Sequence, residues 1–283
     1  MDSYGSIWLD TMKTFDGISG KYREKALVQQ KAALKLLDLL KIGSSDNIID
    51  IACGPGNITN TLRELTSGKV IGIDISEKMI KQARSLYPEI EFRVIAIEEL
   101  DYNNEFDIAF CNSALQWFSD PDKAMTGIFN SLKPKGKIGL ACPATNDWAP
   151  CFESIISKVS EERTIKPVFS HWKNPWFHLP GKNDYSLFFE KQGFVTIHIS
   201  IDHEKTEYSE EEAFGIYLSG AANGYTAKES YDIGIDEGYV TAFNDRVREE
   251  IKRRSKNGRI IVDFNRLYYI GKKEETLSLA MQE

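Results

Sequence analysis

The chain has 283 residues, 42% hydrophobic and 11% aromatic, enough apolar material for a full buried core and too much for a disordered polymer. A formal net charge of −7, with a pI near 5.3, argues against nucleic acid as the main partner. No apolar run approaches the roughly 20 residues needed to cross a bilayer. The start, Met1-Asp2-Ser3-Tyr4-Gly5, lacks the basic residues and apolar stretch of a secretory signal. Four cysteines (Cys53, Cys111, Cys142, Cys151) have neither C-x-x-C spacing nor histidines in a ligand pattern. The expectation is a cytoplasmic protein with reduced thiols, no metal site and no membrane segment.

The first element is a helix over 23–41, where Ala26, Leu27, Ala33, Leu34, Leu37 and Leu40 recur at helical spacing. Gly43-Ser44-Ser45-Asp46 ends it. A strand over 47–53 follows, then a helix over 58–67, a strand over 69–73 and a helix over 77–86 capped by Ser76. Strands over 91–95 and 106–110 come next. Asp120-Pro121 opens another helix, with Asp as cap and Pro at the first helical position. That helix runs to about Leu132, and Lys133-Pro134-Lys135-Gly136 breaks it before a strand over 137–142. Such βα alternation implies an α/β fold with a mostly parallel sheet and helices on both faces. Beyond Cys142 the rhythm stops. An aromatic, proline-containing stretch to about 181 leads to a helix over 183–192 closed by Gly193, and then a strand over 194–201. A polar, helix-rich excursion over 207–256 precedes a long strand over 259–270.

The most informative stretch is Asp50-Ile51-Ala52-Cys53-Gly54-Pro55-Gly56-Asn57, between the first strand and its helix. With Val70-Ile71-Gly72-Ile73-Asp74 it forms the strand, glycine turn, helix, strand and acid of a nucleotide-binding unit. The glycines let backbone approach a ligand, and Asp74 can accept from ribose hydroxyls. A dinucleotide site wants a third glycine, so that pyrophosphate rests on the helix N-terminus. That glycine is missing, which disfavours a nicotinamide oxidoreductase, and Asp50 would repel a phosphate. A carboxylate there suits a cation such as an amino acid's ammonium. A ligand with ribose at one end and ammonium at the other is S-adenosylmethionine.

These residues resemble a class I S-adenosylmethionine-dependent methyltransferase, and within that superfamily the trans-aconitate and malonyl-acyl-carrier-protein O-methyltransferase group. The likeness covers roughly residues 22–142. Its further marks are Asp74-Ile75-Ser76-Glu77-Lys78-Met79, Asn112-Ser113-Ala114-Leu115-Gln116-Trp117-Phe118 and Leu132-Lys133-Pro134-Lys135-Gly136. Phe15, Tyr22 and Gln29/Gln30 resemble that group's N-terminal lid, and the late helix with strand 259–270 resembles its closing elements. The resemblance implies a Rossmann-like seven-stranded sheet whose last strand is antiparallel and inserted between the fifth and sixth. It further implies a single domain over 1–283: a lid to about 41, a cofactor core over 42–142, helical cap insertions over 143–181 and 207–256, and closing strands over 194–201 and 259–270. The chain departs from the pattern at Ala52, where the family often has glycine, and at Ala96, where it often has aspartate for the adenine amine. Adenine recognition then falls to Glu98 or to main-chain groups of Ala96 and Ile97.

By this likeness the cofactor contacts would be Tyr22, Asp50, Ala52, Cys53, Gly54, Pro55, Gly56, Asn57, Asp74, Ile75, Met79, Ala96, Ile97, Glu98, Asn112, Ser113, Ala114 and Trp117. Asp74 can alternatively serve only as a helix cap, and Ile75 and Met79 as ordinary core. Trp117, Trp172, Trp176 and His178 are substrate candidates; the aromatic ones can equally be the insertion's own core. Tyr22, Trp117, His171 and His178 are positioning candidates, with no assigned catalytic residue. The basic run Arg246, Arg248, Lys252, Arg253, Arg254, Lys256 and Arg259 can dock an acidic carrier protein or pair with a substrate carboxylate, although a solvated helix with its own Glu249 and Glu250 is the commoner meaning.

Methyl transfer from a sulfonium is an in-line displacement, so positioning and water exclusion do most of the work. A carboxylate nucleophile, with a pKa near 4, needs no base. The reading is thus methyl transfer to a small-molecule or acyl-carrier-bound carboxylate, with S-adenosyl-L-homocysteine as by-product. The alternatives are C-, N- or phenol O-methylation of a metabolite, which usually wants a base, and a non-catalytic binding module on the same fold.

Overall fold

The computed structural model describes residues 20–274, with side chains from Val28 onward. In chain order the elements are α1 (Gly20–Leu40), β1 (Ile48–Ile51), α2 (Asn57–Leu65), β2 (Val70–Asp74), α3 (Glu77–Leu86), β3 (Glu91–Val94), β4 (Phe106–Asn112) and α4 (Pro121–Ser131). There follow β5 (Leu132–Pro143), α5 (Pro150–Ser160), α6 (Lys166–Phe169), α7 (Lys182–Lys191), β6 (Phe194–Ser209), α8 (Glu210–Ser219), α9 (Ala221–Tyr225), α10 (Glu237–Arg254) and β7 (Arg259–Lys273). One seven-stranded sheet has the order β3-β2-β1-β4-β5-β7-β6. β1 pairs in parallel with β2 and β4, β2 with β3, and β4 with β5, while the last strands are antiparallel. The seven-stranded Rossmann-like topology, with β7 between β5 and β6, is the expected one.

The helix starts are set by local chemistry. Ser76 Oγ accepts from Met79 N at 3.3 Å, and Asp120 caps α4 through Lys123 N at 3.0 Å ahead of Pro121. Ser209 and Glu212 form a reciprocal capping box at α8, so two backbone N–H groups that the helix leaves open are satisfied at once. β1 is buried at all four positions, which fits a central parallel strand covered on both faces.

Two boundaries differ from the sequence reading. The break at Lys133–Gly136 is an irregularity inside β5: Phe106 pairs with Leu132, Ile108 pairs with Lys137, and Lys135 is left-handed at φ 70°. Strand β6 runs to Ser209 rather than to 201, because the polar alternation of residues 202–207 is that of a strand with one exposed face.

The contacts divide the chain into two compact units. Among the described residues, the first comprises 32–142, 179–201 and 267–274; the second 20–31, 143–178 and 202–266. In the first, Ala33, Leu36, Leu37 and Leu40 of α1 pack with Ile48, Leu62, Ile108, Phe110, Tyr268 and Ile270. In the second, Phe152, Ile156, Phe214, Tyr217, Tyr225, Phe243, Val247 and Phe264 form a core against which Trp148, Trp172 and Trp176 pack.

A buried cation fastens the end of β7 in the first unit. Lys273 Nζ donates to Asn104 Oδ1 at 3.0 Å, to Phe129 O at 2.9 Å and to Leu132 O at 2.7 Å, and lies 4.8 Å from the Phe129 ring centre. Burial lowers its pKa below the usual lysine range. Lys273→Met keeps the alkyl stem but strands three acceptors, so chemical denaturation should show a loss of about 2–3 kcal/mol. A change below about 0.5 kcal/mol would mean that water satisfies the three acceptors equally well.

Candidate functional site at the carboxyl ends of the parallel strands

β1 lies where the strand order reverses, with β2 on one side and β4 on the other. In open parallel sheets, ligands enter beyond the carboxyl ends of the strands at this place. There the first unit gathers most of the residues singled out by sequence.

Asp50 is almost wholly buried in β1 and accepts from Thr59 Oγ1 at 2.7 Å. Burial pushes its carboxyl up to about 7; the Thr59 hydroxyl opposes the rise and the Asp74 charge adds to it. Asp74 closes β2 with each oxygen held by a backbone donor: Gly54 N to Oδ2 at 2.9 Å and Ser76 N to Oδ1 at 2.8 Å. The two acids therefore belong to one assembly, because the glycine turn is tied by its own N–H to the acid of the next strand. Each Asp74 oxygen keeps a second lone pair for another donor.

The turn between them is left-handed at Ala52 (φ 55°), Gly54 (φ 56°) and Gly56 (φ 85°). Gly56 is a packing glycine, since a Cβ there would lie 2.8 Å from the Phe92 ring, whereas a Cβ on Gly54 would meet nothing within 4 Å. Cys53 is buried, and burial, with the Asp50 and Asp74 charges adding, raises its thiol pKa. Pro55 lies inside the turn, and Asn57, the first residue of α2, accepts from Tyr87 OH at 3.0 Å.

Ile75, just past Asp74, is 73% exposed, and Trp117, just past β4, is 42% exposed. Both stand past the carboxyl ends of parallel strands that flank β1, the end at which the glycine turn also lies. Met79 is half-buried in the first turn of α3. Ser113 takes φ 61°, held by its N–H to Ala141 O at 2.6 Å and by Gln116 Nε2 donating to its carbonyl at 2.9 Å. Asn112 and Ala114 flank it. Ala96 is extended and Ile97 buried. Glu98 Oε1 accepts from Ser119 N at 2.9 Å, Ser119 Oγ at 2.8 Å and Asp120 N at 3.3 Å. Burial lifts the Glu98 pKa, but these hydrogen bonds outweigh it and hold the carboxyl below its ordinary range. This oxygen is thus engaged at the start of α4, and the carbonyls of Ala96 and Ile97 accept from Glu99 N at 2.9 Å and Leu100 N at 3.2 Å.

His171, Trp172, Trp176 and His178 fall in the second unit. His171 is exposed and hydrogen-bonded, with Nδ1 2.7 Å from Asp232 Oδ1 and Lys173 on the other oxygen. Trp172 donates to Gly224 O at 2.9 Å and stacks on Phe169 at 5.4 Å; Trp176 meets Tyr225 edge-on at 4.9 Å. Rings at these separations pack on one another as a core. His178 Nε2 is buried without a hydrogen-bond partner, and burial lowers its pKa to about 4. The arginines of the basic run are taken up by acids: Arg246 by Glu162 and Glu249, Arg248 by Glu211, Arg253 and Arg254 by Glu250, and Arg259 by Glu207. Phe15 lies outside the described residues, as does the side chain of Tyr22, whose backbone belongs to α1.

Sequence reasoning missed Thr59 and the clamp that Gln116 makes. A buried polar residue on the helix face one turn after the glycines is the only signal that marks Thr59. Gln116 stands inside a motif where the neighbouring Trp drew the attention.

A family model described as a methyltransferase domain matches residues 42–193, more than half of the chain. The chain is 34% identical over 125 residues to the malonyl-[acyl-carrier protein] O-methyltransferase of Acetivibrio thermocellus, covering 42% of this chain and 44% of that one. It is 25% identical over 251 residues to the trans-aconitate 2-methyltransferase of Klebsiella pneumoniae, covering 86% and 92%. It spans about half the length of the malonyl enzyme and of the Escherichia coli trans-aconitate enzymes it matches. Among solved structures, the YcgJ protein of Bacillus subtilis shares the fold with a TM-score of 0.58 at 16% identity, covering 87% of this chain and 99% of that one. The strand-end glycine turn and this family match lead to one conclusion: the chain belongs to the methyltransferase domain family.

Proposed function

We propose that this chain is an S-adenosylmethionine-dependent methyltransferase that acts, in the cytoplasm, on the carboxylate of a small molecule or of an acyl group on a carrier. Its cofactor would be held at the β1–β2–β4 strand ends. The single observation behind the cofactor placement is the linked pair of acids: Asp74 tied to the Gly54 N–H, and Asp50 buried beside it on Thr59. In this reading Asp74 accepts from the ribose hydroxyls, Ile75 and Met79 cover the adenine, and Gly54 lets the methionine part approach. Asp50 faces the ammonium, directly or through water. Trp117 lies beside the sulfonium, whose charge an aromatic face tolerates.

The acceptor assignment rests on the relatives and on proton chemistry. Carboxyl O-methyltransferases are among the relatives, although at low identity. A carboxylate attacks the methyl carbon with no proton to lose, and S-adenosyl-L-homocysteine departs neutral. An attacking phenol, amine or carbon acid wants a base poised near pH 7. His178, lowered to about 4, is a poor one, and His171 is engaged by Asp232. The segments 143–178 and 202–266 are the proposed acceptor-recognition part, with Trp172, Trp176 and His178 its candidate contacts. The paired arginines of α10 leave little support for docking a carrier there.

The deciding assay is transfer of labelled methyl to trans-aconitate, other polycarboxylates and malonyl-acyl carrier protein, with product scored for base-labile label. Base-labile product on one member is expected. Turnover only on phenols, amines or carbon acids would overturn the carboxylate reading.

Asp50 also makes cofactor affinity depend on pH. An incoming ammonium favours the ionised carboxylate, so binding expels the proton that Asp50 carries below about pH 7. Affinity should rise up to about tenfold per pH unit from pH 5 towards 7 and level off above, and Asp50→Asn should flatten the slope. A wild-type affinity independent of pH over that range removes Asp50 from the ammonium role. Folding stability follows the same group with the opposite sign. The folded pKa is raised, so the folded state binds the extra proton between the unfolded value of 3.8 and about 7, and this contribution is lost as pH rises through 7.

The two glycines should separate binding from folding. Gly54→Ala costs about 1 kcal/mol of stability for its left-handed backbone and should weaken cofactor binding at least tenfold. Gly56→Ala drives a methyl into Phe92 and should cost about 2–3 kcal/mol. Equal stability losses with unchanged Gly54→Ala binding would place the ligand elsewhere.

A further inference from the structure

The two edges of the sheet are built differently. β3 is four residues long and carries Glu91 and Arg93, a short charged edge of the kind that resists pairing with another chain. β6 is sixteen residues long, and only its second half is guarded in this way, by Asp202, Glu204, Lys205 and Glu207. The first half reads Val195-Thr196-Ile197-His198-Ile199-Ser200-Ile201, with no acid, lysine, arginine or proline. Val195 is 45% and Ile197 54% exposed, and period-2 geometry puts Ile199 and Ile201 on the same face. β6 ends the strand order beside β7, so among the described strands one side of its backbone has no neighbour.

The run is also nearly palindromic about His198. In an antiparallel pair of two copies with the two-fold axis at His198, Ile197 faces Ile199 of the second copy and Val195 faces its Ile201. On the other face Thr196 meets Ser200. β-Branched pairs and hydroxyl pairs are favourable cross-strand combinations. Charge selects this register. An axis at His203 would set Asp202 against Glu204, like charges directly opposed, whereas the axis at His198 opposes no two acids and no two lysines within the strand. We propose that residues 195–201 of β6 are a self-association edge, through which two copies of this chain pair antiparallel into one continuous sheet.

An edge this short buries less than the roughly 800 Å² per partner of a standard interface, so the dimer should form with concentration rather than be permanent. Sedimentation of the full chain at pH 8, from low micromolar to several hundred micromolar, should show the 32.1 kDa monomer moving toward twice that mass. Ile197→Lys should shift the midpoint at least tenfold upward. Ile261→Lys, at a 59% exposed position on β7 outside the run, should leave it unchanged. Thermal melts and cofactor affinity serve as the folding check for both variants. His198→Cys should cross-link to itself under mild oxidation, since opposed Cα atoms lie about 4.5–5.5 Å apart, within disulfide reach. Ile201→Cys should form no more cross-link than the wild type. A monomer at every concentration overturns the proposal, as does a dimer indifferent to Ile197→Lys or a cross-link that favours Ile201→Cys. Monomers whose 195–201 amides resist hydrogen exchange would assign the edge to another segment of the same chain, and would overturn it equally.

Discussion

The arrangement at the strand ends depends on two carboxylates on adjacent parallel strands, Asp50 in register with Gly72 and Asp74 two residues further on. Like charges so placed repel, and burial makes the repulsion worse for Asp50. The fold tolerates the pair because each acid has its own donors. Asp74 draws on backbone N–H groups of the glycine turn and of the residue that caps α3, and Asp50 draws on a threonine from the first full turn of α2. The turn thus holds its shape through these two acids, and a substitution at either one removes a hydrogen bond that fixes it.

The second unit obeys a different logic. Its aromatic residues pack ring on ring, and its arginines close onto acids of neighbouring elements. Such pairs at partly exposed positions contribute little stability each. They do occupy the arginines of the basic run, Arg253 and Arg254 sharing the single acid Glu250. Gly224 shows how tightly the aromatic part is built: a Cβ there would lie 2.0 Å from the Trp176 ring.

Much of the first unit was legible from sequence because its signals are local. The glycine turn, Ser76, Asp120-Pro121 and the apolar runs of β1, β2 and β4 each announce an element within a few residues, and the parallel topology follows from their alternation. What stayed hidden depends on contacts distant in sequence. Nothing near Lys273 says that it will reach Asn104 and Leu132, and nothing in Thr59 names Asp50. The polar second half of β6 carries no strand signal of its own, because a strand with one wet face and many charges looks locally like a loop. Trp172, Trp176 and His178 gave no pattern that separates a cleft wall from a small core, and only the ring separations favour the latter.

The left-handed backbone at Ala52 and Ser113 has an evolutionary consequence. Both are non-glycine residues in a conformation that costs about 1 kcal/mol or more for an L side chain, and they stand just past the ends of the neighbouring strands β1 and β4. Glycine at either place would relieve that strain at once. Lineages under pressure for heat resistance have single-base routes to it, since alanine codons and some serine codons lie one change away. A chain that keeps alanine and serine there carries strain that a single substitution at each place would remove.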